Sequence, residues 1–304
     1  MTVIELNQIS KVSQGKRLLK QISIAIEEGT IYGLIGSDHS RKSLLIKQML
    51  GLVKKTEGQV SYFGEPFKPS HLMRIGASID RISFYSQLTA YENILYYLES
   101  YKKRMNELNL DVTTQINKYF VMFNLESNLH TSIKKYSLGM IQKLRLIRSL
   151  IIEPDILILD EPAKSLDPVS IKVLKNELKE RAKRGTTIFI ATSMLSFISD
   201  LADHIGVLHY GELIEEINAD ERQKDQQAYL SIRTKELPRL LMIIERELQI
   251  FDYEVISDEK VHILEGFLHG QRIVEALVKQ KVNLLEVKSG FISLEAFFLD
   301  KIGD

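Results

Sequence analysis

The sequence has no cysteine among its 304 residues, which excludes a disulfide framework and any thiolate metal site and suits a reducing, cytosolic setting. It has no excess of charge of either sign: 40 basic side chains balance 40 acidic ones. No global field therefore draws the chain to nucleic acid or to an anionic lipid surface. No apolar run approaches the roughly twenty residues that span a bilayer. The segment Met1 to Leu6 lacks the charged and apolar regions of a signal peptide, so a membrane role is expected to run through a partner. At this length the chain can bury a full core as one large domain or two.

What the sequence does contain is an apolar strand, a polar loop and a helix in succession. Ile31 to Ile35 reads as the strand; Gly36, Ser37, Asp38, His39, Ser40, Arg41, Lys42 and Ser43 form the loop. From Lys42 through Leu44 to Leu52 apolar residues recur at helical spacing. This is the layout of a phosphate-binding loop, G-x-x-x-x-G-K-[ST]. Its glycines let backbone N–H groups curl round phosphates at a helix N-terminus, while Lys and Ser/Thr supply a cation and a magnesium ligand. Gly36, Lys42 and Ser43 fit. The second glycine is missing, its place taken by Arg41, and His39 stands where many such loops carry another. A bulky residue at such a position costs roughly 1–3 kcal/mol where the loop demands a glycine-only conformation; Arg41 is expected to offset part of this through its charge.

Further on, residues 155–162 form an apolar strand ending in Asp160, Glu161 and Pro162. Such a strand can hold Asp160 near a magnesium ion and Glu161 near an attacking water as general base. Between the two motifs lies a third, residues 136–146, in which Ser137 is placed to cap a helix and Gly139 lets backbone approach closely. Asp167 and Pro168 follow as an N-cap and first helical residue.

In order and spacing, residues 1–218 resemble the ATP-binding cassette (ABC) proteins: a damaged Walker A loop, a signature sequence at 136–146, Walker B at 155–162 and a D-loop at 165–168. The resemblance is strongest to the ATPase subunits of bacitracin- and lantibiotic-type peptide exporters. It implies an α/β fold, a P-loop ABC-type nucleotide-binding domain with an antiparallel β layer and a helical subdomain at about 84–149, plus a small α+β C-terminal domain at 228–304. It implies ATP and Mg2+ as ligands, the metal held by Ser43, Asp80 and Asp160. The phosphates would be held by residues 36–44, with Ser137 and Gly139 closing over the γ-phosphate held by a second nucleotide-binding subunit and Asp167 of the D-loop also among the nucleotide-binding residues. It also implies a homo- or heterodimer, a separate transmembrane permease, no nucleic acid, and a peripheral place on the cytoplasmic face of the membrane. An antimicrobial peptide is the implied cargo. The alternative is a non-hydrolysing, structural or regulatory subunit that completes a partner's ATP site.

The family that the sequence resembles carries groups that this chain lacks. The adenine-stacking aromatic near the end of the first strand falls on Val12 or Ser13, neither of which can stack. The Q-loop position is Asp80, one methylene shorter than glutamine though still a hard oxygen donor. The switch histidine falls on Ser193, which donates a hydrogen bond but no positive charge; His204 reads as a structural residue in a turn. Helices are expected at 89–104, 112–123 and 138–150. The aromatics Phe84, Tyr85, Tyr91, Tyr96, Tyr97 and Tyr101 read first as helix core and secondly as a docking surface. Residues 218–227 are polar and read as a linker. Beyond them, strands at 228–233, 253–256, 261–265 and 284–288 with helices at 237–248 and 270–279 give a small βαββαβ-like unit, closed by a helix at 293–299. That unit shows no paired carboxylates, metal-ligand cluster or nucleophile.

Overall fold

The structure, a computed structural model, describes residues 1–79, 84–218, 228–264 and 266–291. They fall into two compact units, Met1–Ala219 and Asp220–Asp304.

The first unit opens with two long antiparallel strands, β1 (Thr2–Ser13) and β2 (Lys16–Glu27), which with β4 (Glu57–Tyr62) and the short β5 (Glu65–Pro66) form one sheet in the order β2-β1-β4-β5. A second sheet carries the chemistry. It contains β3 (Ile31–Ile35), β6 (Ile75–Ser78), β7 (Ile156–Asp160), β8 (Thr187–Thr192), β9 (His204–His209) and β10 (Glu212–Asn218), in the order β10-β9-β3-β8-β7-β6. All neighbours are parallel except β10, which runs antiparallel to β9. β3, β7 and β8 are buried along their whole length, as expected of parallel strands covered on both faces.

Helix α1 (Lys42–Met49) lies between the two sheets. Its Leu45, Ile46 and Met49 share one apolar cluster with Ile24 and Ile26 of β2, Val60 and Tyr62 of β4, and Leu34, Ile158 and Phe189 of the parallel sheet. The sequence pattern carried this helix to Leu52; it stops earlier because Gly51 takes a left-handed turn (φ +68), the usual glycine stop.

The middle of the chain is helical: α2 (Ala90–Glu99), α3 (Lys102–Glu107), α4 (Val112–Met122) and α5 (Leu138–Leu150). The single helix expected over 89–104 is two. Its apolar period runs on across the break, but Arg104 in α3 is buried and donates to the Glu153 carbonyl (2.7 Å) and Asp155 (3.1 Å), which holds the second piece apart. Then come α6 (Pro168–Lys183) and α7 (Leu195–Ile198). Arg181 of α6 is only 1% exposed and ties this region together. It donates to the Tyr119 hydroxyl and the Leu150 carbonyl, and it pairs with Glu153 at 3.1 Å and Glu177 at 2.7 Å. His204, expected in a turn, opens β9 in register with Tyr32.

The second unit runs β11 (Ala228–Thr234), α8 (Leu237–Leu248), β12 (Tyr253–Ser257), β13 (Lys260–Ile263), α9 (Gly266–Lys279) and β14 (Leu284–Phe291). Its antiparallel sheet has the order β12-β13-β11-β14. Leu230, Ile232, Val261 and Ile263 face a core filled by Leu240, Ile244, Ile273 and Leu277 of the two helices. The last helix begins at Gly266 rather than Gly270. The helix expected at 293–299 lies outside the described residues.

Candidate nucleotide site

β3 delivers the loop and α1 receives it. Gly36 closes against the neighbouring strand, its N–H donating to the Thr192 carbonyl at 3.3 Å. A Cβ there would meet Ser40 Oγ at 2.6 Å as well as the Leu208 carbonyl, so this first glycine is required by packing. Residues Asp38–Ser40 make one 3-10 turn, stapled by the Ser40 hydroxyl and N–H on the Ser37 carbonyl.

Of the two missing glycines, only one strains the backbone. Arg41 sits at φ +77, ψ +22, in the left-handed region, whereas His39 is not among the residues with positive φ. For an L-residue the left-handed conformation costs roughly 1–2 kcal/mol, so the lower half of the range expected for a single position applies, once, at Arg41 alone.

A cavity of about 600 Å³ opens at the N-terminus of α1. Of the residues expected from sequence, Arg41, Lys42, Ser43, Leu44, Asp160 and Glu161 line it. Lys42 is buried and donates to the Gly36 and Ser37 carbonyls, with its Nζ 3.5 Å from Glu161 Oε1. Glu161 adopts φ +46, and its other oxygen accepts from Thr192 Oγ1 at 3.0 Å and Ser193 Oγ at 3.4 Å. Ser193, at the position expected of the switch histidine, therefore touches the carboxylate expected to act as base. Ser165, also on the cavity wall, has φ +66. Three non-glycine residues in the left-handed region thus surround one cavity, the kind of strain that concentrates at functional sites.

Ser137 caps α5 by accepting from the Met140 N–H at 3.2 Å. Gly139 has a packing reason: a Cβ on it would meet the Ser165 carbonyl at 2.8 Å. Asp167 caps α6, accepting from the Ser170 N–H (2.8 Å) and hydroxyl (2.7 Å) with Lys143 at 3.1 Å. Those bonds, the Ser170 N–H first, hold its carboxyl well below the usual carboxylate range. Asp80 lies outside the described residues, and nothing aromatic is offered at Val12, which is 37% exposed at the end of β1.

Sequence reasoning missed Gln142, Arg145 and Lys164, which also line the cavity. Gln142 is buried and donates to the Glu161 and Pro162 carbonyls at 3.3 and 3.0 Å, fixing the backbone that carries Glu161. The available signal was spacing: Leu138, Ile141, Gln142 and Arg145 recur at three to four residues and share one face of α5.

The donor set suits a magnesium nucleotide. Ser43 and Asp160 offer one hydroxyl and one carboxylate at the mouth of a helix N-terminus, hard oxygens of the kind that bind Mg2+ together with substrate phosphates. Among the described residues no group of three or more His, Cys, Asp or Glu could hold a metal by itself.

A loop of phosphate-binding layout on a parallel sheet, followed in the chain by a capped helix and a carboxylate-tipped strand, defines an ATP-binding cassette. The ABC transporter family matches residues 19–164. The chain belongs to the ATP-binding proteins of ABC transporters. It is 32% identical over 306 residues to the bacitracin transport ATP-binding protein BcrA of Bacillus licheniformis, covering 99% of this chain and 98% of that protein. To the BcrA of Enterococcus faecalis it is 30% identical, covering 99% and 96%. The lantibiotic transport ATP-binding protein SrtF of Streptococcus pyogenes matches at 34% over 211 residues, 69% of this chain and 89% of SrtF. Among solved structures, the ATP-binding subunit of an ABC transporter superposes with TM-score 0.65 at 23% identity, over 73% of this chain and 92% of that one; this likeness supports the fold. Among the described residues no helix is long and apolar enough to cross a membrane.

Proposed function

We propose that this chain hydrolyses ATP to drive export of an antimicrobial peptide of the bacitracin or lantibiotic type. The observation that carries the reading is the convergence of Lys42, Ser43, Asp160 and Glu161 on one cavity, with Lys42 Nζ 3.5 Å from Glu161. Bound Mg2+ would neutralise phosphate charge. Lys42 binds phosphate oxygens, giving up its bonds to Gly36, Ser37 and Glu161. Glu161, so released and steadied by Thr192 and Ser193, accepts a proton from the attacking water. Residues 1–218 make the nucleotide-binding domain in this reading and 228–304 a separate accessory domain. Ser137 and Gly139 complete the site of a second nucleotide-binding subunit, and the chain works peripherally, on the cytoplasmic side of the membrane, against a separate permease. The peptide cargo is supported by the near full-length match to two bacitracin transport proteins.

For the permease, the supporting feature is a groove of about 350 Å³ lined by Phe84, Tyr85, Tyr96, Tyr97 and Arg148. Tyr85 and Tyr96 are 54% and 60% exposed, so the helix-core reading fails for these two. The Arg148 guanidinium lies 4.9 Å from the Tyr97 ring, and its buried Nε has no hydrogen-bond partner among the described residues.

The test is ATP turnover of the purified chain, alone and with its permease, beside Glu161→Gln. Turnover in the parent and its loss in the variant, with ATP affinity retained, is the expected result. Absence of turnover under every condition overturns the hydrolytic reading. Bacitracin tolerance of cells expressing chain and permease tests the cargo separately.

A further inference from the structure

β14 pairs with β11 along one side only, and among the described residues no strand pairs with its other side. It is eight residues long, with a register shift against β11 between Leu284 and Glu286 and regular pairing from Glu286 to Phe291, and the backbone groups along such an open edge are a template for pairing with another chain. Val287 lies opposite Ile232 and so on the helix-covered face, while Glu286 and Lys288 lie opposite Arg233 and Ser231 on the other face. Leu285 and Val287 are nevertheless 41% and 37% exposed. Glu286 and Lys288 form an ion pair along the strand.

We infer that two copies of this chain join β14 to β14, antiparallel, about a two-fold axis through Val287, merging two four-stranded sheets into one of eight. An axis perpendicular to the sheet keeps each face on its own side, so opposed residues must have the same parity. Centring on Glu286 or on Lys288 sets like charges face to face. Centring on Leu285 or Ser289 gives neither charge an opposite partner. Only the Val287 register places Glu286 of each copy against Lys288 of the other, twice, with Val287 against Val287. Cross-strand pairs of opposite charge and of β-branched side chains are the stabilising ones, and like charges directly opposed destabilise. The interface is isologous and closes on itself. The other open edge, β12, offers no such match: about Val255, Glu254 meets Ile256.

The absence of cysteine gives a clean test on the full-length chain without nucleotide, so that ATP-driven pairing of the cassettes does not contribute. Directly opposed residues in antiparallel strands have Cα atoms about 4.5–5.5 Å apart, within disulfide reach of about 4.4–6.8 Å. Val287→Cys should cross-link on mild oxidation at least tenfold faster than Val278→Cys, an exposed position on α9. Sedimentation should show self-association weakened roughly tenfold or more by Glu286→Lys or by Lys288→Glu alone, and restored when both are combined. Equal cross-linking at 278 and 287, a monomeric parent chain, or a double variant no better than the singles overturns the inference. Far-UV spectra and melting curves of each variant identify any that has failed to fold, and the remaining variants then decide.

Discussion

Arg41→Gly separates two opposing contributions of one residue. At φ +77 the arginine backbone costs roughly 1–2 kcal/mol relative to an unstrained residue. Glycine removes that cost but adds roughly 0.5–1 kcal/mol through the greater freedom of its unfolded chain. The difference is a gain of about 0–1.5 kcal/mol, or up to about 6 °C in Tm for a unit of this size. Arg41 lines the cavity, and its charge, on an exposed residue, contributes about 1 kcal/mol to anion binding, about fivefold in affinity. Thermal unfolding with and without magnesium ATP should therefore show the variant more stable when empty and less stabilised by nucleotide. Arg41→Lys, which keeps both strain and charge, should match the parent in both conditions. A lower Tm for Arg41→Gly in the absence of nucleotide refutes the strain argument. Unchanged nucleotide stabilisation refutes the role of the charge.

Gly139→Ala should cost about 1–2 kcal/mol and slow turnover, because the new Cβ must push against the Ser165 backbone, 2.8 Å away; denaturant unfolding and ATPase assays check both. Glu153 gives a pH dependence. Burial alone raises its pKa, but Arg181, Tyr119 and Lys118 outweigh burial and leave it below the usual glutamate value. A carboxylate lowered in the folded state stabilises above its unfolded pKa of about 4.3 and loses that contribution as pH falls through the folded value. Glu153→Gln should lower Tm at pH 7 and flatten the loss of stability with pH below about 4.3, measured by scanning calorimetry.

The phosphate loop, the carboxylate-tipped strand and the order of the C-terminal elements were legible because each is local: a period, a cap or a spacing. Arg41's left-handed backbone was legible as a missing glycine, but the ease of His39 was not, since a 3-10 turn over residues 38–40 needs no positive φ. Gln142 escaped because its role is to bond the Glu161 and Pro162 carbonyls, some twenty residues away, and nothing in α5 marks that contact. The break between α2 and α3 escaped for the same reason: Arg104 reaches Glu153 and Asp155 at the foot of a distant strand. Tyr85 and Tyr96 carry the spacing of core residues yet face solvent; composition cannot tell a filled face from one waiting for a partner.

The clamping of α1 between the two sheets has a consequence for how the loop before it changes over evolutionary time. Both ends of residues 36–41 are fixed by packing that does not involve the loop's own side chains: β3 is buried along its length, and Leu45, Ile46 and Met49 are fully enclosed. A substitution at residue 39 or 41 is answered locally, by one turn or one strained torsion, whereas Gly36 is held by the Leu208 carbonyl and Ser40, which a Cβ would meet. A lineage can therefore lose the two later loop glycines one at a time while the first glycine, the lysine and the helix end stay in place, testing new side chains over the phosphates without risking the fold.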